Sequence, residues 1–158
     1  MTSAPPDDPL VFRFFNEIGI IEQLSRARFE RGLPHGLTLS QFKVLNHFAR
    51  LGGERSPLSL ARSFQVTKGA VTNAVQKLEA KGFVATRPDP KDGRGKLVYL
   101  TDAGRAARDD AIATLQPVFP LLFSEFSDAE FAAALPFLER LRKFLDENRD
   151  AAAPGDPE

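Results

Sequence analysis

The sequence predicts a mainly helical fold that carries one small β-hairpin. Three observations predict it. Apolar residues recur at helical spacing over most of the 158-residue chain. Between Phe83 and Leu100 the pattern changes to two short strand-like runs around a loop rich in proline and glycine. Capping signals at Thr38, Ser56, Thr67, Thr101 and Ser127, with Pro9 before the first helical run, divide the helical part into six helices.

The elements follow in order. Pro9 suits the first turn of a helix from Leu10 to about Glu30, with apolar residues at Leu10, Phe14, Phe15, Ile18, Ile21, Leu24 and Phe29. That face is wide enough to require more than one partner. Gly32 and Pro34 stop it. Thr38 to Gln41 forms a capping box for a second helix, which runs to about Arg50, buries Phe42, Leu45 and Phe48, and ends at Gly52-Gly53. Ser56 and Pro57 start a short third helix that reaches Phe64. Gln65-Val66 is a turn. Thr67 caps a fourth helix from Lys68 to about Lys81, with Val71, Val75 and Leu78 as its inward stripe. Phe83–Arg87 and Lys96–Leu100 are the predicted strands, and the run from Arg87 to Gly95 is their loop. Thr101 opens a fifth helix, which Pro117 and Pro120 should bend or break. Ser127 to Glu130 is a second capping box, opening a sixth helix to about Asn148 that Pro136 should kink.

Composition bounds the function. No apolar run approaches the ~20 residues of a membrane helix, and the acidic, proline-rich start does not read as a signal peptide. The chain has no cysteine and two histidines, His35 and His47, so neither a disulfide framework nor a metal site is expected. No nucleophile–base pair, metal cluster or phosphate loop is visible, so neither an enzyme nor a cofactor is expected. Both ends, residues 1–8 and 151–158, read as flexible tails.

The formal net charge is zero, but its distribution is uneven. Residues 55–100 carry nine Lys or Arg against three acids, a local +6 set in a body of −6. Chance alone can produce such a segment, so the placement of the charges matters more. The outward side of the fourth helix offers Lys68, Gly69, Ala70, Thr72, Asn73, Gln76 and Lys77, with no acid before Glu79. An ordinary solvated face would be as polar, yet it would more often use glutamate. Amide side chains can pair with an adenine edge and a threonine methyl can meet thymine. Lysines and the helix start reach phosphates. Arg87, Lys91, Arg94 and Lys96 sit on the hairpin, where a long arginine can enter a narrow minor groove. Asp92 is placed to pin the Arg94 guanidinium. Ser56, Arg62 and Thr67 complete the candidate DNA-binding set.

Asp92-Gly93-Arg94, followed by Leu97-Val98-Tyr99-Leu100-Thr101-Asp102-Ala103-Gly104, resembles the wing signature of the multiple-antibiotic-resistance regulator (MarR) family. Leu78-Glu79-Ala80-Lys81-Gly82-Phe83-Val84 is similar to the end of that family's recognition helix. The resemblance implies a winged helix-turn-helix over residues 35–100, with helical dimerisation regions at 9–34 and 101–150. It implies a cytoplasmic homodimer on a pseudo-palindromic operator, usually a repressor released by a small aromatic or anionic ligand. Thr72 and Asn73 fall where the family reads bases, and Asp92 and Arg94 fall on its wing pair. A family-like dimer would bury Phe12, Phe14, Phe15, Phe119, Phe123, Phe126, Phe131, Phe137 and Phe144, and fourteen Phe without Trp reads as core or interface. Arg13, Arg28, His35 and His47 could meet an anionic effector at the junction, but each reads first as a surface or packing residue, and the ligand-binding residues stay open. The competing expectation is a winged-helix protein-interaction module without DNA binding.

Overall fold

The computed structural model describes residues 8–150, so the expected terminal tails lie outside the described residues apart from Asp8. Helix α1 spans Leu10–Gly32 and α2 spans Leu39–Leu51. A two-residue strand β1 (Glu54–Arg55) precedes α3 (Pro57–Phe64) and α4 (Lys68–Ala80). Strands β2 (Val84–Asp89) and β3 (Asp92–Leu100) form the hairpin. Helix α5 (Asp102–Ala113), a 3-10 turn (Gln116–Val118), α6 (Phe119–Phe123) and α7 (Asp128–Glu147) complete the chain.

The expected caps form. Thr38 and Gln41 make a full capping box, as do Ser127 and Glu130. Ser56 accepts from the Ser59 amide, Thr67 from the Ala70 amide and Thr101 from the Gly104 amide. The turn between α3 and α4 passes through the left-handed region at Gln65, φ 53°. Its amide returns to the α3 carbonyls, which fixes the angle at which α4 leaves.

One core holds this part together. Leu45, Phe48, Leu60, Leu78, Val84 and Val98 are fully buried, and Val71 and Val75 project from α4 into the same cluster. The apolar stripe expected on α4 is therefore its inward face, and the helix's orientation follows from it. His47 is also buried, with its ring edge-on to Phe48 and Phe64 at 5.9 and 5.3 Å. Burial, aided by Arg50 and Arg55 and opposed by Asp146, holds its pKa below the ordinary 6.5. The folded state thus binds fewer protons than the unfolded state as pH falls. Stability should be flat above about pH 7.5 and decline as the solution is acidified through about pH 6.5. Denaturant unfolding across that range checks this, and His47→Gln should remove the decline.

Two features differ from the sequence expectation. First, β1 was not anticipated: two residues after Gly52-Gly53 are too few to show alternation. It pairs antiparallel with β3, giving a three-stranded sheet of order β1-β3-β2. Second, the strands run almost to the hairpin tip, through residues expected to be loop. Pro88 is tolerated because β2 is an edge strand and its missing N–H faces no partner, and the register slips between Pro88 and Asp89. The break expected in the fifth helix is present: it ends at Ala113, and the chain resumes as a 3-10 turn and the separate α6. Pro117 and Pro120 each begin a new helical piece, consistent with a ring that cannot sit inside a helix. Helix α7, by contrast, runs unbroken through Pro136 in an exposed stretch.

Candidate nucleic-acid interface

The outward face of α4 is built by its inward one. With Val71, Ala74, Val75 and Leu78 buried, the helix repeat turns Lys68, Gly69, Ala70, Asn73, Gln76 and Lys77 to solvent, with Thr72 half-buried at the margin. The Thr72 hydroxyl donates to the Lys68 carbonyl at 2.9 Å. Its hydroxyl is occupied, so its methyl is the group left for a partner. Ser56 and Thr67 use their oxygens as caps, and each hydroxyl proton stays free to donate. Arg62 is exposed on α3. Its carbonyl accepts from the Arg149 guanidinium beyond the end of α7, tying the last helix to this region.

Two expectations about the hairpin are corrected. Asp92 does not pin the Arg94 guanidinium: its carboxylate accepts from the Arg94 backbone amide at 3.1 Å. The spacing of two residues suits such a turn better than a side-chain pair. Arg94 makes no ion pair among the described residues and is exposed beside Lys91 at the tip, with Lys96 exposed further along β3. Asp89 similarly accepts from the Lys91 amide at 2.9 Å. Arg87 is not a free cation. It grips Glu54 with two parallel bonds, Nε to Oε1 at 2.5 Å and Nη2 to Oε2. The partner lies on β1, so the sequence reading could not have found it.

Glu54 is the hairpin contact most clearly missed, together with Glu79, whose Oε1 accepts from the Thr86 hydroxyl at 2.7 Å. The base of the hairpin is closed from the other side. Thr101 donates its amide to the Phe83 carbonyl and its hydroxyl to the Gly82 carbonyl at 2.6 Å. Gly104 approaches the same Phe83 carbonyl so closely that an added Cβ would lie 1.8 Å from its oxygen.

The remaining helices look different. Helices α1, α6 and α7 bury no residue completely. Phe12, Phe15, Phe123, Phe126, Phe131, Phe137 and Phe144 are all exposed, from 41% at Phe15 to 60% at Phe144. Phe14 and Phe119 are half-buried, and Phe14 meets Phe137 edge-on at 5.5 Å, joining α1 to α7. Of the cavities that adjoin these helices, two also reach α2 or the α3 region. One of about 510 Å³ lies between α1, α3 and α7, with Phe15, Leu138, Leu145, Arg142 and Arg149 in its wall. Another of about 340 Å³ lies between α1, α2 and α5, with Phe29, Phe42, Ile112 and Leu115 in its wall, Lys43 and Arg26 as its cations, and Glu22 as its acid, 3.8 Å from the Arg26 guanidinium. None of the four residues named as able to meet an anion lines either cavity. His47 is turned into the core, while His35 is bonded to Asp110 at 2.7 Å. Arg13 and Arg28 are exposed.

A turn between α3 and α4, with a three-stranded sheet beside it, defines a winged helix-turn-helix protein. A sequence model of the MarR family matches residues 35–95. The chain is 40% identical over 73 residues to the multiple antibiotic resistance protein MarR of Salmonella typhimurium, a match covering 46% of this chain and 50% of that protein. The match thus spans half the length of that relative. It is 30% identical over 115 residues to the HTH-type transcriptional repressor NicR of Pseudomonas putida, covering 73% of this chain and 70% of NicR. Among solved structures it is similar to the transcriptional regulator BldR of Sulfolobus solfataricus, with TM-score 0.66, 31% identity, and coverage of 86% of this chain and 94% of BldR. The chain belongs to the MarR family.

Proposed function

We propose that the chain is a cytoplasmic, homodimeric DNA-binding transcriptional regulator that places α4 in a major groove and the hairpin in the adjoining minor groove. One observation carries the proposal. The solvent face of α4 holds lysines, short side chains and two amides, with no carboxylate before Glu79, and beside it stands a hairpin whose Arg94 makes no ion pair among the described residues. Lys68, Lys77, Lys91 and Lys96 serve phosphates, Asn73 and Gln76 serve base edges, and the Thr72 methyl meets an apolar base group. Arg94 enters the minor groove.

The exposed phenylalanines support a second copy as the partner of α1, α6 and α7. So large an apolar surface is not left in water by a soluble monomer. A two-fold interface would set the two α4 helices about 34 Å apart, one DNA turn, and so demand inverted half-sites. We further propose that the protein represses, as NicR is named to do, and that a small aromatic or anionic molecule releases it. The cavity between α1, α2 and α5 supports that reading, since it has apolar walls, the cation of Lys43 and an Arg26 paired with Glu22, at the junction of the helical body with the DNA-reading region.

Selection of duplexes from a random pool tests the proposal. Inverted half-sites about one turn apart should be enriched. Enrichment of nothing, or of sequences without repeated half-sites, would contradict it.

A further inference from the structure

We infer that Glu54 and Glu79 are positioning residues that lock the hairpin against the recognition helix, and that Arg87 acts on DNA through this lock rather than by touching it. The inference rests on the DNA-binding reading above and extends it to three side chains outside the reading surface.

The hairpin needs such a lock. Strand β2 is an edge strand whose sole neighbour among the described residues is β3. The register of the ladder slips immediately after Pro88. The tip that carries Lys91 and Arg94 therefore hangs on a strand with a weakened outer half. Thr86 and Arg87, just before the slip, point to opposite faces of the sheet. Each ends on a carboxylate from a different element. Thr86 donates to Glu79 in the last turn of α4 at 2.7 Å. Arg87 grips Glu54 on β1 with both arms of its guanidinium.

Register shows what the second tie spans. Glu54 lies opposite Tyr99 and Arg87 opposite Leu97, both on β3. The ion pair thus crosses the middle strand diagonally and binds all three strands into one plate. The first tie fastens that plate to α4. Two-point pairing gives Arg87 a fixed orientation that a lysine could not hold. The charges agree with this role. A lone carboxylate close to a phosphate-binding surface repels its ligand, whereas Glu54 is neutralised by its partner. The Arg87 bonds also hold the Glu54 carboxyl below its ordinary range, so the pair stays ionised through neutral pH.

The test uses the full chain and a duplex recovered by selection. Glu54→Gln, Arg87→Gln, the double variant and the exchanged pair Glu54→Arg with Arg87→Glu are compared by affinity at several salt concentrations. Amide hydrogen exchange of β2 and β3 is measured in the same proteins without DNA. Both single variants should weaken binding by roughly threefold to tenfold, and the double variant by no more than either. The exchanged pair should recover most of the loss. The salt slope should stay at the wild-type value, and β2 amides should exchange faster in the single variants. Thr86→Val, which keeps the shape but removes the hydroxyl, should likewise loosen β2.

Tighter or unchanged binding by Glu54→Gln would overturn the inference. So would a salt slope lowered by about one phosphate in Arg87→Gln, which would mean direct contact. Unchanged exchange in β2 would overturn the lock itself. If the wild-type chain binds no duplex, the DNA role fails along with the reading beneath it, while the exchange data still decide separately whether Glu54 and Arg87 lock the hairpin.

Discussion

Gly104→Ala should lower the unfolding free energy by about 2 kcal/mol or more and displace the hairpin. An added Cβ would meet the Phe83 carbonyl oxygen at 1.8 Å and a Leu100 methyl at 2.8 Å. Phe83 opens the approach to β2 and its carbonyl already holds the Thr101 amide, so neither it nor the start of α5 can yield alone. Overpacking of this kind typically costs about 1–3 kcal/mol, and backbone contact places it at the upper end. The roughly 1 kcal/mol that alanine contributes to a helix offsets part of the loss. Gly69→Ala makes the control. Nothing lies within 4 Å of its added Cβ, so stability should rise by about 0.5–1 kcal/mol. Thermal and denaturant unfolding of the two variants, side by side, reads the difference in sign.

Arg94→Ala should weaken binding to a selected operator by about 1–3 kcal/mol. The side chain is exposed at the tip of the hairpin, and the turn that presents it is held by the Asp92 carboxylate on the Arg94 amide. An arginine so presented can enter a narrow minor groove without first breaking a pair. Asp92→Ala should have a smaller effect in the same direction, because it loosens the turn but leaves the cation. A mobility-shift titration at fixed salt measures both. Equal affinity of Arg94→Ala and wild type would remove the hairpin tip from the interface.

Much of the fold was legible because local signals agreed with the global arrangement. The caps at Thr38, Ser56, Thr67, Thr101 and Ser127 mark real helix starts, and Val71, Val75 and Leu78 orient α4 correctly. The prolines at 117 and 120 do break the fifth helix. What the sequence hid was non-local. Strand β1 is too short to show a period and exists because β3 offers it an edge. The Arg87–Glu54 pair joins residues 33 positions apart, and the sequence could show only that both were charged. Asp92 misled for the opposite reason. Its nearness to Arg94 suggested a side-chain pair, while the turn geometry sent the carboxylate to the backbone. His47 read as a possible anion partner until burial beside Phe48 and Phe64 removed it from the surface.

The central claim is that two copies of the α4 and hairpin surface read one duplex. Titrating a selected duplex with the full chain, with stoichiometry and affinity followed over a range of salt, tests it most directly. Two chains per duplex, an affinity that falls steeply with salt, and a preference of at least about 10³ over random DNA are expected. One chain per duplex, or affinity indifferent to both salt and sequence, would contradict it.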